Sequence, residues 1–567
     1  MNNKSNILFL LFFPLIMNSV DAQPLNKKEV LSRQDSLRGS ITPERAWWNV
    51  TRYNIYVQPD YDSKTIKGWN EIIFEPVSFG KNKIMQIDLQ EPMLIDSIRF
   101  GQNKIIKNFK RDGNIYLINF GDYKFVDNTN RPDQKFYSLL IFFSGKPRIA
   151  NNPPWDGGWI WKKDANGRPW MTVACQGLGA SVWYPCKDHQ SDEPDSGASL
   201  SIAIPDTLVA VANGRLKEKK NYNGLTSWKW EVVNPINNYN IVPYIGKYVN
   251  FTDSYEGEKG NLDLSYCVLD YNLEKAKKHF ELNVKPMLKT FEYWFGPYPF
   301  YEDGYKLVES PHLGMEHQSA IAYGNHYMNG YYPGFGNTGK DLSGTGWGLK
   351  WDFIIVHESG HEWFGNNITS KDIADMWVHE GFTDYSETVF VESQYGKQAA
   401  DEYTQGLRKN IQNDKPIIGP YGVNKEGSGD MYYKGNNLIH TIRQVINNDN
   451  AFRDILSGLN KEFYHKTVTT SEIENYISEK SGKDLSKIFD QYLRTIDIPV
   501  LEYKADGQRV SIRWTNSIDG FNLPLKLIGE RPVWLSPTTN WQVFVLPLNY
   551  TIDMIDKNFY ITVKKME

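Results

Sequence analysis

The sequence predicts a multidomain α+β protein, in which an N-terminal all-β domain is followed by a mainly helical domain and a small C-terminal β domain. Its 567 residues exceed what a single core usually organises. Short alternating apolar runs dominate up to about residue 250, a helical apolar period continues to about residue 497, and alternation then returns. We therefore expect domains at 23–250, 251–497 and 498–567.

Residues 1–22 have the layout of a signal peptide. Lys4 provides an early charge, the apolar run Ile7–Met17 is interrupted by Pro14, and small and polar residues lead to Ala22. Such a run is too short to span a bilayer, whose hydrocarbon core is about 30 Å thick. We expect cleavage near Ala22–Gln23 rather than a retained N-terminal anchor, and an exported mature protein, periplasmic or extracellular, without a stable membrane span.

The first domain is predicted to be all-β because its apolar runs are short and separated by turn residues. Examples are Tyr53–Val57 and Leu208–Val211, which are bounded by clusters of Asn, Gly, Pro and Asp. A loop rich in Gly, Pro and Trp interrupts this pattern at Asn151–Trp170.

The second domain is predicted to be mainly helical. Apolar residues recur every three or four positions in Glu274–Phe295 and in Ser471–Tyr492. Ser471 followed by Glu474 resembles a capping box that would open the latter helix. Further on, the alternating run Val510–Trp514 predicts the return to β structure in the C-terminal domain.

Composition narrows the class of protein. The net charge is −4, from 63 basic and 67 acidic residues, so no basic excess exists to neutralise a phosphate backbone and nucleic-acid binding is not expected. Apolar residues make up 40% and charged residues 23%, which is ordinary globular usage. Only Cys175, Cys186 and Cys267 are present; we expect buried thiols, while a Cys175–Cys186 disulfide stays open.

The middle domain contains a candidate metal site. His357-Glu358-Ser359-Gly360-His361 places two histidines at i and i+4 on one helical face, where they can chelate one ion. A second acidic helix follows, and its Glu380 would supply a third protein ligand. Two histidines and a carboxylate with one open position are typical of a catalytic zinc, whereas structural zinc sites are closed and usually rich in cysteine. Glu358 would lie beside the metal rather than on it.

Several segments carry a family resemblance. They lie in an order that agrees with the family along nearly all of the chain after residue 22: Gln176, Gly314-Met315-Glu316, Trp363-Phe364-Gly365-Asn366, Glu380-Gly381-Phe382, Tyr432-Tyr433-Lys434-Gly435 and Phe489-Asp490-Gln491-Tyr492. Together these segments resemble the aminopeptidase N family of zinc metallopeptidases, which includes the leukotriene hydrolases. The resemblance implies a thermolysin-like catalytic domain and peptide substrates.

The resemblance also implies a role for each site residue. One Zn²⁺ would be held by His357, His361 and Glu380, with Glu358 as general base and acid. Tyr432 would donate a hydrogen bond to the carbonyl oxygen as charge develops there. The substrate-binding residues would be Gln176, Gly314, Met315 and Glu316, with Glu316 and Gln176 pairing with the free α-ammonium group of the peptide.

Three polar residues near these motifs need separate interpretation. His317 and His379 both stand where the family usually has Asn. We expect the imidazole of His379 to point away from the metal, and His317 to alter the first substrate pocket or to add positive charge at low pH. Asp384, at i+4 from Glu380, is a candidate acceptor for a zinc-bound histidine N–H, with a surface carboxylate as the equal alternative.

The chain resembles a short form of the family, because about 70 strand-rich residues follow Pro499 in place of a large helical domain. The glycine-rich segment Gly330–Gly348 is either a flap near the site or a linker. Cover of the cleft by a second subunit, and hence a homo-oligomer, stays open. The alternative functions are an epoxide hydrolase of the leukotriene type, a zinc-bearing binding module and an endopeptidase; Glu316 opposes the last of these.

Overall fold

The computed structural model describes residues 31–101, 104–127 and 135–567. The predicted signal peptide, 1–22, lies outside the described residues. Two short helices precede the first strand: α1 (Arg33–Gly39) and α2 (Pro43–Ala46). Within the described residues, no helix combines the length and the apolarity needed to cross a membrane.

The N-terminal region is built from strands. They are β1 (Trp48–Asp60), β2 (Thr65–Pro76), β3 (Ile84–Asp88), β4 (Leu94–Phe100), β5 (Lys104–Ile106), β6 (Phe109–Asp112), β7 (Ile115–Asn119), β8 (Tyr137–Gly145), β9 (Gly158–Lys163), β10 (Pro169–Ala174), β11 (Ala198–Pro205), β12 (Val209–Val211), β13 (Arg215–Tyr222), β14 (Leu225–Val232) and β15 (Tyr244–Gly246).

These strands form three sheets, in the orders β13-β14-β11-β1-β2-β8-β4-β5, β12-β15-β10-β9 and β3-β7-β6. Along most of β1, buried and half-exposed residues alternate, as expected for a strand with one face on the core. The apolar core of the region continues into one face of the next sheet, through residues such as Val308, Met315 and Ala322. This shared core fixes the N-terminal region against the part of the chain that follows.

The middle region begins with a sheet and continues with helices. Its sheet has the order β16-β17-β18-β20-β19, so that the short β19 lies at the edge. The strands are β16 (Tyr248–Gly257), β17 (Gly260–Leu269), β18 (Tyr305–Glu309), β19 (Gly314–Met315), β20 (Ile321–Tyr323), β21 (Ile368–Ser370) and β22 (Lys466–Val468). The helices are α3 (Leu273–Phe295), α4 (Phe353–Gly360), α5 (Trp377–Tyr395), α6 (Lys397–Leu407), α7 (Tyr433–Ile446), α8 (Asp449–Glu462), α9 (Thr470–Ser481) and α10 (Ser486–Arg494).

The C-terminal region returns to strands. They are β23 (Val500–Asp506), β24 (Arg509–Thr515), β25 (Leu525–Leu527), β26 (Val533–Leu535), β27 (Gln542–Val545) and β28 (Thr562–Lys565). One apolar core runs from the helices into these strands and includes Ile512, Trp514 and Phe521. The predicted fold class, an all-β region, a mainly helical region and a small β region, is therefore confirmed.

Two local predictions are corrected or decided by the structure. The capping box of α9 uses Thr469 and Glu472, not Ser471 and Glu474. The predicted helix over 471–492 is two helices, because α9 ends at Gly482 in the left-handed conformation that glycine adopts without strain. All three cysteines are buried and free, which excludes the Cys175–Cys186 disulfide.

Two glycines let helices α5 and α7 approach each other closely. A Cβ added at Gly435 would lie 3.0 Å from the Cα of Gly381, and one added at Gly381 would lie 3.1 Å from the carbonyl oxygen of Met431. Gly381 directly follows Glu380, and Gly435 lies three residues after Tyr432. The Gly381–Gly435 contact therefore sets the spacing between α5, which carries Glu380, and α7, which begins directly after Tyr432.

We predict that Gly435→Ala lowers the free energy of unfolding by about 1–3 kcal/mol, because the added methyl group overpacks the contact. An unhindered Gly→Ala change inside a helix would instead raise stability by about 1 kcal/mol. Urea denaturation of the variant and of the original protein measures the change in the free energy of unfolding, and its sign distinguishes the two cases. A variant as stable as the original protein, or more stable, would show that the helices are free to separate at this point.

Candidate active site

The first two candidate metal ligands lie on a short and rigid helix. All residues of α4 are buried, and its N-terminus is capped by Asp352, which accepts a hydrogen bond from the backbone N–H of Ile355 at 3.1 Å. The other carboxylate oxygen of Asp352 accepts from Tyr323 at 2.7 Å. His357 lies in the last turn and His361 is the C-cap residue. Burial and capping leave the backbone of this helix little freedom.

Glu380, in the first turn of α5, completes the candidate metal site. Its Oε2 atom lies 3.3 Å from Nε2 of His361 and 3.7 Å from Nε2 of His357. One ligand atom from each of the three residues falls within 4.8 Å of the others. This buried Oε2 makes no hydrogen bond within the described part of the chain. An unsatisfied buried carboxylate oxygen facing two imidazole nitrogens is the donor set that a divalent cation such as Zn²⁺ would satisfy.

The Nδ1 atom of each histidine has a hydrogen-bond partner on the side away from Glu380. His357 Nδ1 lies 2.7 Å from Oε1 of Glu387, and Tyr403 donates to the other oxygen of Glu387 at 2.6 Å. His361 Nδ1 lies 3.0 Å from the carbonyl oxygen of Phe364. These contacts orient both Nε2 atoms towards Glu380 and leave them free for a metal.

Both interpretations of Asp384 are therefore wrong: Glu387 is the partner of His357 Nδ1, and Asp384 is buried rather than a surface carboxylate. Both carboxylates lie near His357. However, Glu387 is fixed by Tyr403, whereas Asp384 lines the cavity and interacts with Asn436. The sequence signal for Glu387 is its position seven residues after Glu380, two turns along the same face of α5.

The electrostatics of the cluster favour a cation. Burial lowers the pKa of His357, but Glu380 and Glu387 outweigh burial, so the net shift is well upward. Burial raises the pKa of Glu358 to about 7. The carboxylate of Glu358 lies against β19: a Cβ at Gly314 would come within 2.5 Å of its Oε1 atom. Gly314 is thus needed for the close approach of the edge strand to Glu358.

A second carboxylate, Glu316, closes one end of the site. Its Oε1 atom accepts from Gln176 Nε2 at 2.6 Å and from the hydroxyl of Tyr239 at 2.8 Å. Gln176 and Tyr239 both come from the N-terminal region, so the two regions meet at this carboxylate. Burial raises the pKa of Glu316. The sequence indicated Gln176 and Glu316 but gave no sign of Tyr239, which contacts Glu316 only through the fold.

Tyr432 lies close to His357, one of the candidate metal ligands. It follows the short 3₁₀ helix Gly429–Met431 and precedes α7. Its ring centroid lies 6.0 Å from that of His357, with the planes 23° apart. Burial and the nearby glutamates raise its pKa well above the ordinary value. Tyr432 is therefore a protonated hydroxyl, able to donate a hydrogen bond into the cavity.

The two unusual histidines lie outside the cavity lining. His379 points to the backbone N–H of Ser370, which donates to its Nε2 at 2.8 Å, and burial lowers its pKa to about 3. The expectation that His379 points away from the metal ligands is confirmed. His317 is fully buried, its Nδ1 lies 2.5 Å from the hydroxyl of Tyr244, and burial lowers its pKa well below the ordinary value. Its predicted effects on the substrate pocket and on charge at low pH are therefore wrong.

The site residues share one cavity. Every sequence-predicted site residue lines it: Gln176, Gly314, Met315, Glu316, His357, Glu358, His361, Glu380 and Tyr432. Pro154 and Trp155 contribute from the N-terminal loop, and Tyr331 and Leu342 from the glycine-rich segment. Of the two interpretations of Gly330–Gly348, the structure supports a segment near the site. An antiparallel β-bridge between Tyr331 and Lys340 connects the two ends of a turn within this segment.

Comparison with known proteins agrees with this geometry. Residues 283–492 match the peptidase family M1 domain. The chain is 21% identical over 481 residues to a leucyl aminopeptidase of Saccharolobus solfataricus, covering 82% of this chain and 55% of that protein. It is 27% identical over 480 residues to aminopeptidase N of Lactococcus lactis, covering 79% and 51%. The chain thus spans about half the length of the curated relatives it matches.

Among solved structures, an M1 zinc metallopeptidase of Deinococcus radiodurans, bound to a Tyr-Ser-Ala substrate, has the same fold. The TM-score is 0.64 at 17% identity, over 80% of this chain and 96% of that one. The grouping of His357, His361 and Glu380, the order of the motifs and these matches agree with one another: residues 283–492 match the peptidase family M1 domain, and the chain is similar to aminopeptidase N and leucyl aminopeptidase relatives.

Proposed function

We propose that this protein is an exported zinc aminopeptidase that removes N-terminal residues from peptides. The observation that carries the proposal is the joint placement, in one cavity, of a three-residue metal site and a buried carboxylate suited to an α-ammonium group. The curated relatives named above are aminopeptidases. Export rests on the sequence of residues 1–22 alone.

His357, His361 and Glu380 are the proposed zinc ligands. When bound there, zinc would lower the pKa of a bound water from about 15.7 towards 7 and polarise the substrate carbonyl. Glu387 and the carbonyl oxygen of Phe364 keep the two imidazole rings in the orientation that this requires.

Glu358 is the proposed proton carrier. Because its pKa is raised to about 7, it can take a proton from the attacking water and return it to the leaving amine near neutral pH. Tyr432, held protonated, donates its hydrogen bond to the carbonyl oxygen as negative charge develops there. The two groups come from different parts of the chain, Glu358 from α4 and Tyr432 from the residue before α7, and both line the cavity.

Glu316 and Gln176 set the register of the peptide. A free α-ammonium group bound between them would give the buried carboxylate of Glu316 a positively charged partner. Such a charge-assisted hydrogen bond is strong. A chain that continues towards the N-terminus would meet Gln176 and Glu316, which line the cavity. The arrangement therefore favours an exopeptidase over an endopeptidase.

We predict one zinc per chain, lost in His361→Ala, because two remaining ligands hold zinc poorly. Glu387→Gln should weaken zinc binding by about 10–100-fold while leaving all three ligands in place. Metal analysis after dialysis against a chelator gives both results. His326→Asn, which changes an exposed histidine, is the matched control. Full zinc retention in His361→Ala would remove this residue from the metal site.

We predict that Glu358→Gln and Tyr432→Phe keep zinc but lower kcat by at least about a hundredfold, as expected when a proton carrier or an oxyanion donor is lost. Steady-state kinetics with an aminoacyl-amide fluorogenic substrate, together with metal analysis, measures both effects. Tyr433→Phe is the comparison, since Tyr433 also lines the cavity. A greater loss from Tyr433→Phe than from Tyr432→Phe would transfer the donor role to Tyr433.

We predict that a peptide with a free amine is cleaved at least about thirtyfold faster than its N-acetylated form, because acetylation leaves Glu316 buried without its cationic partner. In Glu316→Gln this preference should shrink, mainly through loss of activity on the free amine. The assay compares the two peptides with both proteins. Equal cleavage of both peptides by the unmodified enzyme would point to an endopeptidase.

A further inference from the structure

The N-terminal helix α1 contacts the loop that carries Gln176, here called the amine loop (residues 175–179). The guanidinium group of Arg38 donates from Nη1 to the carbonyl oxygen of Gly177 at 2.6 Å and from Nη2 to that of Gln176 at 3.3 Å. Its Nε atom lies 3.4 Å from Oδ2 of Asp188, a side chain that is only 5% exposed. One side chain thus holds two consecutive backbone carbonyls of the amine loop.

The amine loop is shaped around this guanidinium group. Gly179 closes the loop by donating its N–H to the carbonyl oxygen of Cys175 at 2.6 Å, with φ at +100°. A Cβ at Gly179 would lie 2.1 Å from Oδ2 of Asp188 and 2.5 Å from Nε of Arg38. Only glycine allows the loop to lie this close to the Arg38–Asp188 pair.

The helix itself is anchored to the catalytic region. Asn424 donates its backbone N–H to the carbonyl oxygen of Asp35 at 3.0 Å, and its side-chain oxygen accepts from Nη1 of Arg38 at 2.5 Å. The side-chain nitrogen of Asn424, Nδ2, also donates to the carbonyl oxygen of Gly177 at 3.3 Å. Helix α1, the amine loop and the catalytic region therefore meet at Gly177.

We propose that Arg38 is a positioning residue for recognition of the substrate amine. It fixes the backbone of Gln176 and Gly177, and thereby holds the Gln176 side chain against Glu316, where their contact is 2.6 Å. The planar, five-donor guanidinium group suits this role, because one rigid group can serve two carbonyls and a carboxylate at once. The inference rests on the proposed function, since it needs Glu316 and Gln176 to bind an α-ammonium group.

Loss of Arg38 frees the backbone of the amine loop without touching the metal ligands, Glu358 or Tyr432. Gln176 then samples orientations away from Glu316, and the ammonium group loses its second partner. Small displacements of a positioning group reduce rates strongly, by up to about a hundredfold for 1 Å. The defect is confined to substrates that carry a free amine, because a blocked peptide does not use this contact.

The test compares Arg38→Gln with Arg33→Gln. Arg33 lies in the same helix but forms an exposed ion pair with Asp112, away from the cavity. For Arg38→Gln we expect kcat/KM on a free-amine peptide to fall about tenfold, and kcat/KM on the N-acetylated peptide to change by less than about twofold. Arg33→Gln should match the unmodified enzyme on both peptides. Thermal melting of each variant measures any loss of stability, which would lower both activities together.

Gln176→Ala supplies the second arm. If Arg38 acts through Gln176, the double variant Arg38→Gln/Gln176→Ala should be no slower on the free-amine peptide than Gln176→Ala alone. Losses that multiply would overturn the inference, as would an unchanged preference for the free amine in Arg38→Gln. A preference absent from the unmodified enzyme would instead overturn the proposed aminopeptidase function, so the two failures are distinguishable.

Discussion

The site depends on one constraint: several carboxylates are buried close to the same two histidines. Glu316, Glu358, Glu380 and Glu387 are all less than a tenth exposed. Burying ionised carboxylates is costly unless a cation or donor compensates each one. Glu387 accepts a hydrogen bond from Tyr403 and contacts His357. Glu316 accepts hydrogen bonds from Gln176 and Tyr239. Glu380 faces the two imidazole nitrogens. These different partners separate the proposed metal position at Glu380 from the proposed amine position at Glu316.

The backbone makes this crowding possible. Gly314 lets the edge strand β19 approach Glu358, and the Gly381–Gly435 contact brings α5 against α7. In each case a side chain would occupy the space that a functional group needs. These glycines lie next to or near the groups they serve: Gly381 follows Glu380, and Gly314 precedes Glu316. The motifs therefore combine reactive residues with the close packing that positions them.

The sequence predicted what depends on short spacing. The i and i+4 relation of His357 and His361 follows from helix geometry, and the change of apolar period separated the three regions. Glu316, Gln176 and Tyr432 could be assigned because their motifs resemble a family. Tyr239 and Arg38 escaped prediction, because they reach the site only through long-range folding. The prediction for Asp384 was wrong because more than one carboxylate on α5 lies near His357. The hydrogen bond from Tyr403 holds Glu387 in the position that contacts His357.

The C-terminal strands support the site from behind rather than covering it. In the part of the chain that the structure describes, the residues lining the cavity all lie between 154 and 433. The C-terminal region instead contacts the helices: Tyr560 donates its backbone N–H to Thr441 of α7 at 3.2 Å, and Tyr492 of α10 donates to the carbonyl oxygen of Tyr560 at 2.6 Å. Arg408 adds contacts to the carbonyl oxygens of Lys557 and Asn558.

These contacts brace α7, the helix that directly follows Tyr432. Helix α7 also packs on α5 through Gly435. Contacts that hold α7 in place therefore also fix the distance between Tyr432 and Glu380. Other parts of the cavity wall come from elsewhere: Trp155 from the N-terminal region, and Tyr331 and Leu342 from the glycine-rich segment. The C-terminal contacts that hold α7 and the residues that form this part of the cavity wall thus belong to different regions of the chain, so a change in the wall at Trp155, Tyr331 or Leu342 leaves the contacts that hold α7 in place.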